Sequence, residues 1–493
     1  MDSGTLYVVG IASYIIIMLI IGYYAARKIK SAEDFIVAGR RMPLWLVTAT
    51  LFATWFGGGT VLGGAGTAYV EGIWNTEDAW GVIPDPFGAG LCLILAGLFF
   101  MHKLRKLKLL TLADFYMMRY GKVALVIAAI LLGPIFMFWL SVQIIAFGKV
   151  LTALLGWPYV WAIILSSIVM LIYTFAGGLW AVALTDFVQM LILTIGTAIL
   201  AVYSTQLAGG FQAIPADKLQ FIPTEHTFEA WMAWVGAWII IGLGSIPTPD
   251  LHQRALGSKD EKTARLGAIF AGILYWTIGF LPVLIGLVAP ALVAKGLIPA
   301  GPLEEDPELL VPLMVKALLN PVVGTIILGA LIAAIMSSAD SALLAISTVL
   351  TKNLGRDLMK IGRTDRGLLI ATRTATVVVM FMALLVAFVF PYVYELMAYA
   401  FDLILAALFV PLVLGLYWRK TNEVGAVAGM LAGILYRTIA AGVIEGFTFE
   451  TITYPANWYY YTIGAPIISL IVTIVVSLAT GKINPPKEIH TTQ

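Results

Sequence analysis

The sequence predicts an all-α polytopic membrane protein of about thirteen transmembrane helices, with a five-plus-five inverted-repeat core and two broken spans, the second and the seventh. Three observations lead there. Of 493 residues, 60% are apolar and 12% charged, and mean hydropathy is +0.94; soluble domains average ~45–50% and ~25%. The apolar residues form continuous runs of about twenty, enough to cross a bilayer, without the ten-residue alternation of barrel strands. Two of those runs carry glycine or proline clusters, and they lie five spans apart.

Taken in order, the expected spans are 5–27, 43–72, 79–101, 123–155, 158–176, 179–206, 229–249, 267–292, 321–351, 367–390, 393–417, 422–445 and 461–481. Little remains for a soluble domain. Residues 1–493 therefore read as one transmembrane unit: an extra N-terminal helix and loop (5–42), a first repeat (43–206), a second repeat (229–417) and two further helices (422–481). The opening Met1-Asp2-Ser3-Gly4 lacks the basic stretch of a cleavable leader, so the first span is expected to stay.

Orientation follows from the short loops, because Lys and Arg concentrate on the cytoplasmic side. With the N-terminus outside, inner loops collect Arg27, Lys28, Lys30, Arg40, Arg41, Lys103, Arg105, Lys106, Lys108, Arg119 and Lys122. Later inner loops add Arg254, Lys259, Lys262, Arg265, Lys352, Arg356, Lys360, Arg363, Arg366, Arg419, Lys420, Lys482 and Lys487. Outer loops keep Lys218, Lys295 and Lys316, and the stretch from Pro302 to Glu308 is acidic. The expected location is the plasma membrane, multi-pass, with the C-terminus cytoplasmic.

The second span reads Ala53-Thr54-Trp55-Phe56-Gly57-Gly58-Gly59-Thr60, and the seventh Gly242-Leu243-Gly244-Ser245-Ile246-Pro247-Thr248-Pro249. Glycine costs about 1 kcal/mol and proline about 3 kcal/mol inside a helix, so both spans should unwind there. Five spans of separation inverts one relative to the other. Paired broken helices point to a binding site near the bilayer midplane. The plainer reading is that small residues let helices pack closely.

In the ninth span, Ala334 and the hydroxyls of Ser337 and Ser338 can present oxygens on one helical face to a small hard cation such as sodium; alternatively the serines bond to carbonyls of their own helix. Asp340 follows them, and a carboxylate inside a span is a functional candidate. Asp186 in the sixth span is another, placed to balance an ion or a gate, or to cap nearby backbone. Asp85 sits between Pro84 and Pro86, a functional candidate or a polarity that the kink itself explains; Asp402 is a further acid within a span, and Arg437 lies in span twelve. Trp55, beside the triple glycine, and Trp139 at similar depth can face a central cavity and hold an organic cation by cation–π attraction, or simply pack.

The single Cys92 and four scattered histidines exclude a disulfide framework and argue against structural zinc. A net charge of +2 gives no reason to expect nucleic acid. No phosphate-binding loop, zinc helix or paired intramembrane aspartates occur, so neither an enzyme nor an ATP-driven pump is expected. No obligate protein partner is evident.

The motifs GRRMPLW, ATWFGGG, YTFAGGLWAVALTDFVQ, QRALGSKDEKTAR and MSSADS resemble the sodium:solute symporters over nearly the whole chain, and LILAGLFF, SSADSALLA and TNEVGAVAG look like the high-affinity choline transporter branch. The resemblance implies the ten-helix inverted-repeat core, with one helix before it and two after. It implies sodium-coupled import of a small organic solute by alternating access, a choline-like ammonium compound or else an amino acid or carboxylate; a sodium-independent facilitator of the same fold is the rival. It places sodium on Ala53, Phe56, Ala334, Ser337 and Ser338, with Asp186 for ion transit or a second ion; Asp340 stays a further ion candidate by its place inside the ninth span. Solute candidates are Trp55, Trp139, Gly57, Gly58 and Gly59, with Thr248 where the choline branch has tryptophan, and Phe87 near the position of its tyrosine.

Overall fold

The computed structural model describes residues 3–26, 32–74, 80–174, 179–360, 364–440, 442–443 and 457–488. The expected inner-loop cations Arg27, Lys28, Lys30 and Arg363, segment 175–178, and the ends of several expected spans lie outside the described residues. Among the described residues the architecture is helical, with one isolated bridge between Met42 and Ser258.

In chain order the long helices are α1 (Ser3–Ala26), α2 (Leu44–Trp55), α3 (Gly59–Val70), α4 (Ile83–Lys106), α5 (Lys122–Leu155), α6 (Tyr159–Thr174), α7 (Leu179–Ala208) and α8 (Phe228–Gly242). Then come α9 (Pro249–Gly257), α10 (Glu261–Ala294), α11 (Pro321–Arg356), α12 (Asp365–Val389), α13 (Val393–Tyr417), α14 (Glu423–Ala440) and α15 (Trp458–Thr480). Among the described residues, nine helices are long and apolar enough to cross a bilayer, and the bent pair α2–α3 makes ten. Shorter apolar helices at Thr5–Tyr14, Tyr159–Ile172 and Phe228–Gly242 fall on the other three expected spans.

The packing is paired. α2 packs on α10 as α8 packs on α4; α5 on α6 as α11 on α12; α2 on α7 as α8 on α13; α7 on α11 as α13 on α5. Exchanging each of α2–α7 with its counterpart five spans later maps one set onto the other, as an inverted repeat requires. In α11 and α13, 83% and 89% of the most apolar window is buried in the protein, against 28% in α12 and α15. The first two are central and the second two peripheral. Val378, Phe381, Ile471 and Val475 on the peripheral pair stay exposed, a surface that lipid covers.

The two ends differ. At one, the loop before α2 docks on the loop after α9: the Met42 N–H donates to Gly257 O at 3.1 Å, and the Lys259 N–H to Met42 O at 3.0 Å. Arg105 donates to Ser258 O and Lys259 O, and Arg40 to Lys108 O and Leu109 O. At the same end Arg119 donates to Gly415 O, Trp418 O and Arg419 O, satisfying carbonyls that the end of α13 leaves without helical partners. The opposite end holds Lys218 on Tyr69 O and Val70 O, and a cavity of about 940 Å³ lined by Glu71, Glu304, Glu305, Glu308, Glu395 and several aromatic rings.

Candidate functional site

α2 ends at Trp55 because Phe56 leaves helical geometry (φ −76°, ψ 72°) and the Gly57 N–H turns back to Trp55 O at 2.8 Å, so Ala53 loses the donor that a continuous helix would supply. α3 resumes at Gly59, bent by 55°. The glycines here permit contact. A Cβ at Gly58 would stand 2.4 Å from the Ala146 Cβ on α5, and one at Gly59 2.5 Å from the Met397 sulfur on α13. The position of a Gly57 Cβ lies 3.3 Å from Ser338 Oγ and 3.6 Å from Ala334 O.

The break thereby meets α11. Ser338 Oγ donates to Thr54 O at 2.7 Å and lies 3.1 Å from Ala334 O, so the expected bonding within its own helix and the contact across the bundle coexist. Ser337 takes a different course. Its hydroxyl donates to Asp186 on α7, and Thr50 on α2 donates to the other oxygen of the same carboxylate. Asp186 thus joins three spans, and among the described residues its two carboxylate oxygens accept from side chains. Asp340 lies on the same helix with Thr174 as a partner, and its Oδ1 has none.

The second break spans Leu243–Thr248. The hydrophobic run ends at Pro249, yet the span continues as α9, whose Asp250, His252 and Arg254 are fully buried. Arg254, expected among the loop cations, is therefore corrected to the interior. Hydropathy stops short because these charges are paid back by partners that only the fold supplies: Arg254 lies 4.0 Å from Asp186, donates to Ser341 Oγ and to Asp250 O, and Asp250 accepts from Trp55 Nε1 at 3.3 Å. His252 Nε2 meets Ile246 O at 2.5 Å, and the hydroxyl of Thr248, the solute candidate of this break, donates to Ser245 O at 2.8 Å.

Trp55 and Trp139 come together through a ring not singled out in the sequence. Phe401 on α13 lies 6.3 Å from Trp55 and 5.3 Å from Trp139, centroid to centroid, and its carbonyl is 2.3 Å from where a Gly244 Cβ would stand. Around this cluster Trp139 Nε1, the Gln143 side-chain amide and Ser245 Oγ are buried without a hydrogen-bond partner. Such groups cost 1–3 kcal/mol each when left unmade, so they mark where a polar ligand would gain most. Gln143 was not singled out in the sequence, although a lone amide in an apolar span is the signal that could have found it. Phe87 is not part of the cluster: its ring packs on Phe221, Trp238 and Phe280, 5.1–6.3 Å away.

With that geometry in place, comparison with known proteins decides the family. The model of the "Sodium:solute symporter family" matches residues 35–433. The chain belongs to the sodium:solute symporter family. Relatives include the high-affinity choline transporter 1 of Drosophila melanogaster, 28% identical over 97% of this chain and 80% of that one, and its Homo sapiens counterpart, 29% identical over 92% and 79%. The sodium/proline symporter of Staphylococcus aureus is 28% identical over 96% and 92%. A solved Na+-coupled sialic acid symporter in a substrate-bound outward-open state superposes with TM-score 0.77 at 20% identity, over 98% of both chains. At that identity the likeness shows the fold alone. This symporter is an integral multi-pass membrane protein that couples movement of a small solute to sodium.

Proposed function

We propose that this symporter imports a small organic solute bearing an ammonium group, choline-like, by alternating access. It acts as a carrier and not an enzyme, and needs neither nucleic acid nor an obligate protein partner. The observation that carries the reading is the meeting of Trp55 and Trp139 on Phe401 beside the broken helix. Desolvated ring faces attract an organic cation by about 2 kcal/mol. The acidic, aromatic cavity containing Glu71, Glu304, Glu305, Tyr69 and Trp80 is then the outer vestibule, which concentrates cations ahead of the site. The end sealed by Met42, Arg105 and Ser258 is cytoplasmic. The N-terminus is outside and the C-terminus inside, in the plasma membrane.

Sodium, the coupling ion, sits between the first break and α11, on oxygens of Ala53, Phe56, Ala334, Ser337 and Ser338, with Thr54 added by its contact to Ser338. Asp186 carries the ion onward, held ready by Thr50 and Ser337. Residues 43–206 and 229–417 are the two repeats, a division supported by the paired packing.

Uptake of radiolabelled choline and of proline into proteoliposomes, with and without a sodium gradient, tests the reading. Trp55→Ala should raise the half-saturating choline concentration about thirtyfold, the equivalent of ~2 kcal/mol, and Trp55→Phe should keep part of the affinity because a ring face remains. Equal losses in the two variants, or proline uptake alone, would shift the assignment to an amino acid or carboxylate held by the backbone amides of Gly57 to Gly59. Uptake indifferent to sodium would reject symport.

A further inference from the structure

Asp85 belongs to neither of the groups above. It stands in the extended residue that interrupts the start of α4, between two prolines that cannot donate a backbone hydrogen bond. Tyr394 of α13 fixes the segment from both sides: its hydroxyl accepts from the Asp85 N–H and donates to the Asp85 carbonyl, each at 3.2 Å. The side chain consequently points at Thr60 on α3, whose Oγ1 lies 3.0 Å from both carboxylate oxygens. Tyr275 of α10 completes the group, its hydroxyl 2.5 Å from Thr60 Oγ1 and 3.4 Å from Asp85 Oδ2. The Trp55 carbonyl, which also accepts the Gly57 N–H at the break, lies 3.3 Å from Thr60 Oγ1.

Two carboxylate oxygens, two hydroxyls and a carbonyl thus converge from four helices, and Asp85 is 2% exposed. Among the described residues no Lys, Arg or His stands near enough to pair with it. Asp186 has Arg254 and Asp402 has Arg437; Asp85 has only hydroxyl dipoles. A buried carboxylate without a counter-charge costs several kcal/mol, and a cation bound there removes that cost. The donor set is oxygen alone and carries one negative charge, a set that suits a hard monovalent ion.

We propose that Asp85, Thr60 and Tyr275, with the Trp55 carbonyl, form a second sodium site, separate from the oxygens around Ser338. Tyr394 lines the acidic cavity as well as holding Asp85, so the site lies at the floor of the path by which cations arrive. Trp55 and Thr60 bracket the first break, so an ion there ties the hinge between α2 and α3 to the α4 and α10 scaffold. A second coupled ion makes accumulation of solute depend on the square of the sodium gradient. The proposal rests on the sodium-coupled reading of the protein.

Equilibrium binding of ²²Na⁺ to the purified full chain, without any organic solute, tests it. Asp85→Asn should bind one sodium ion fewer per chain than wild type, Ser338→Ala should also lose one, and the double variant should lose both. Tyr275→Phe, which keeps the ring packing, should raise the half-saturating sodium concentration of one class of sites roughly tenfold or more, the scale of one lost contact to a charged group. This second variant decides the matter if Asp85→Asn is not monodisperse. Wild-type stoichiometry in a monodisperse Asp85→Asn protein, or unchanged sodium affinity in Tyr275→Phe, overturns the site. Loss confined to Ser338→Ala leaves sodium coupling standing and removes only this proposal; no sodium binding by wild type removes the coupling reading itself.

Discussion

Ser338 faces two carbonyls, Thr54 O at 2.7 Å and Ala334 O at 3.1 Å, and its one hydroxyl proton serves them unequally. A sodium ion placed among these oxygens would take the hydroxyl as a ligand and leave its proton free to turn away. Replacing Ser337 and Ser338 together by alanine removes two oxygens and almost no volume. The sodium concentration for half-maximal uptake should then rise roughly tenfold or more while the protein stays monodisperse; uptake titrated against sodium reads this out, and a wild-type curve would reject the cage. The serine spacing and the neighbouring Asp340 were plain in the sequence. Thr54, Gln143 and Phe401 were not, since a carbonyl, an amide and a ring become site residues only by what stands opposite them.

Helix α14 lies outside the paired core and is joined to it by a buried ion pair, Arg437 to Asp402 on α13, with the guanidinium 5.7 Å from the Tyr399 ring. Removing one partner strands a charge, whereas exchanging both for apolar residues of similar size is often neutral. Arg437→Met should therefore destabilise by ~3–5 kcal/mol and Asp402→Leu with Arg437→Met by much less, which thermal unfolding in detergent can compare. α10 begins at a different kind of anchor. Asp260 caps it by accepting the Thr263 N–H at 2.7 Å, and that bond, followed by the Thr263 side chain, holds the carboxyl below the usual carboxylate range. A depressed pKa adds stability that is complete above the ordinary value of about 4 and lost as pH falls through the folded one. Asp260→Ala should cost about 1 kcal/mol in the first turn of α10 at neutral pH, with Asn largely preserving the cap. Hydrogen exchange in that turn should show the difference between Ala and wild type shrinking below about pH 4.

At the scale of the whole molecule, one end is closed by backbone and arginine contacts and the other holds the 940 Å³ cavity, an asymmetry in keeping with the proposed alternating access. Coupling sets how far transport runs uphill. An ion moving down 100 mV yields about 2.3 kcal/mol, and a tenfold sodium gradient adds roughly 1.4 kcal/mol. At one ion per neutral solute the sum sustains roughly 500-fold accumulation, one decade per 1.4 kcal/mol. Proteoliposomes with imposed voltage and sodium gradient should show accumulation at least of this order. Equilibration to equal concentrations would identify a facilitator.

The sequence by itself determined the membrane class, the helical state, the places of the two breaks and the family, because continuous apolar runs, glycine and proline costs and short motifs are local properties of the chain. The tertiary structure decided what those pieces do to one another. Pro249–Gly257 looked like the start of a polar loop because hydropathy counts Asp250, His252 and Arg254 one at a time; in the fold Asp250 meets Trp55 at the first break, Arg254 meets Asp186 on α7 and Ser341 on α11, His252 meets Ile246 O within the second break, and the segment is buried. Asp85 carries the opposite lesson. Its two prolines explained a kink from sequence alone, but whether its carboxylate would find a counter-charge depended on α3, α10 and α13, which approach it from residues as far as 309 positions away. Charge compensation in a low-dielectric interior is a long-range pairing problem, and only the packed helices solve it.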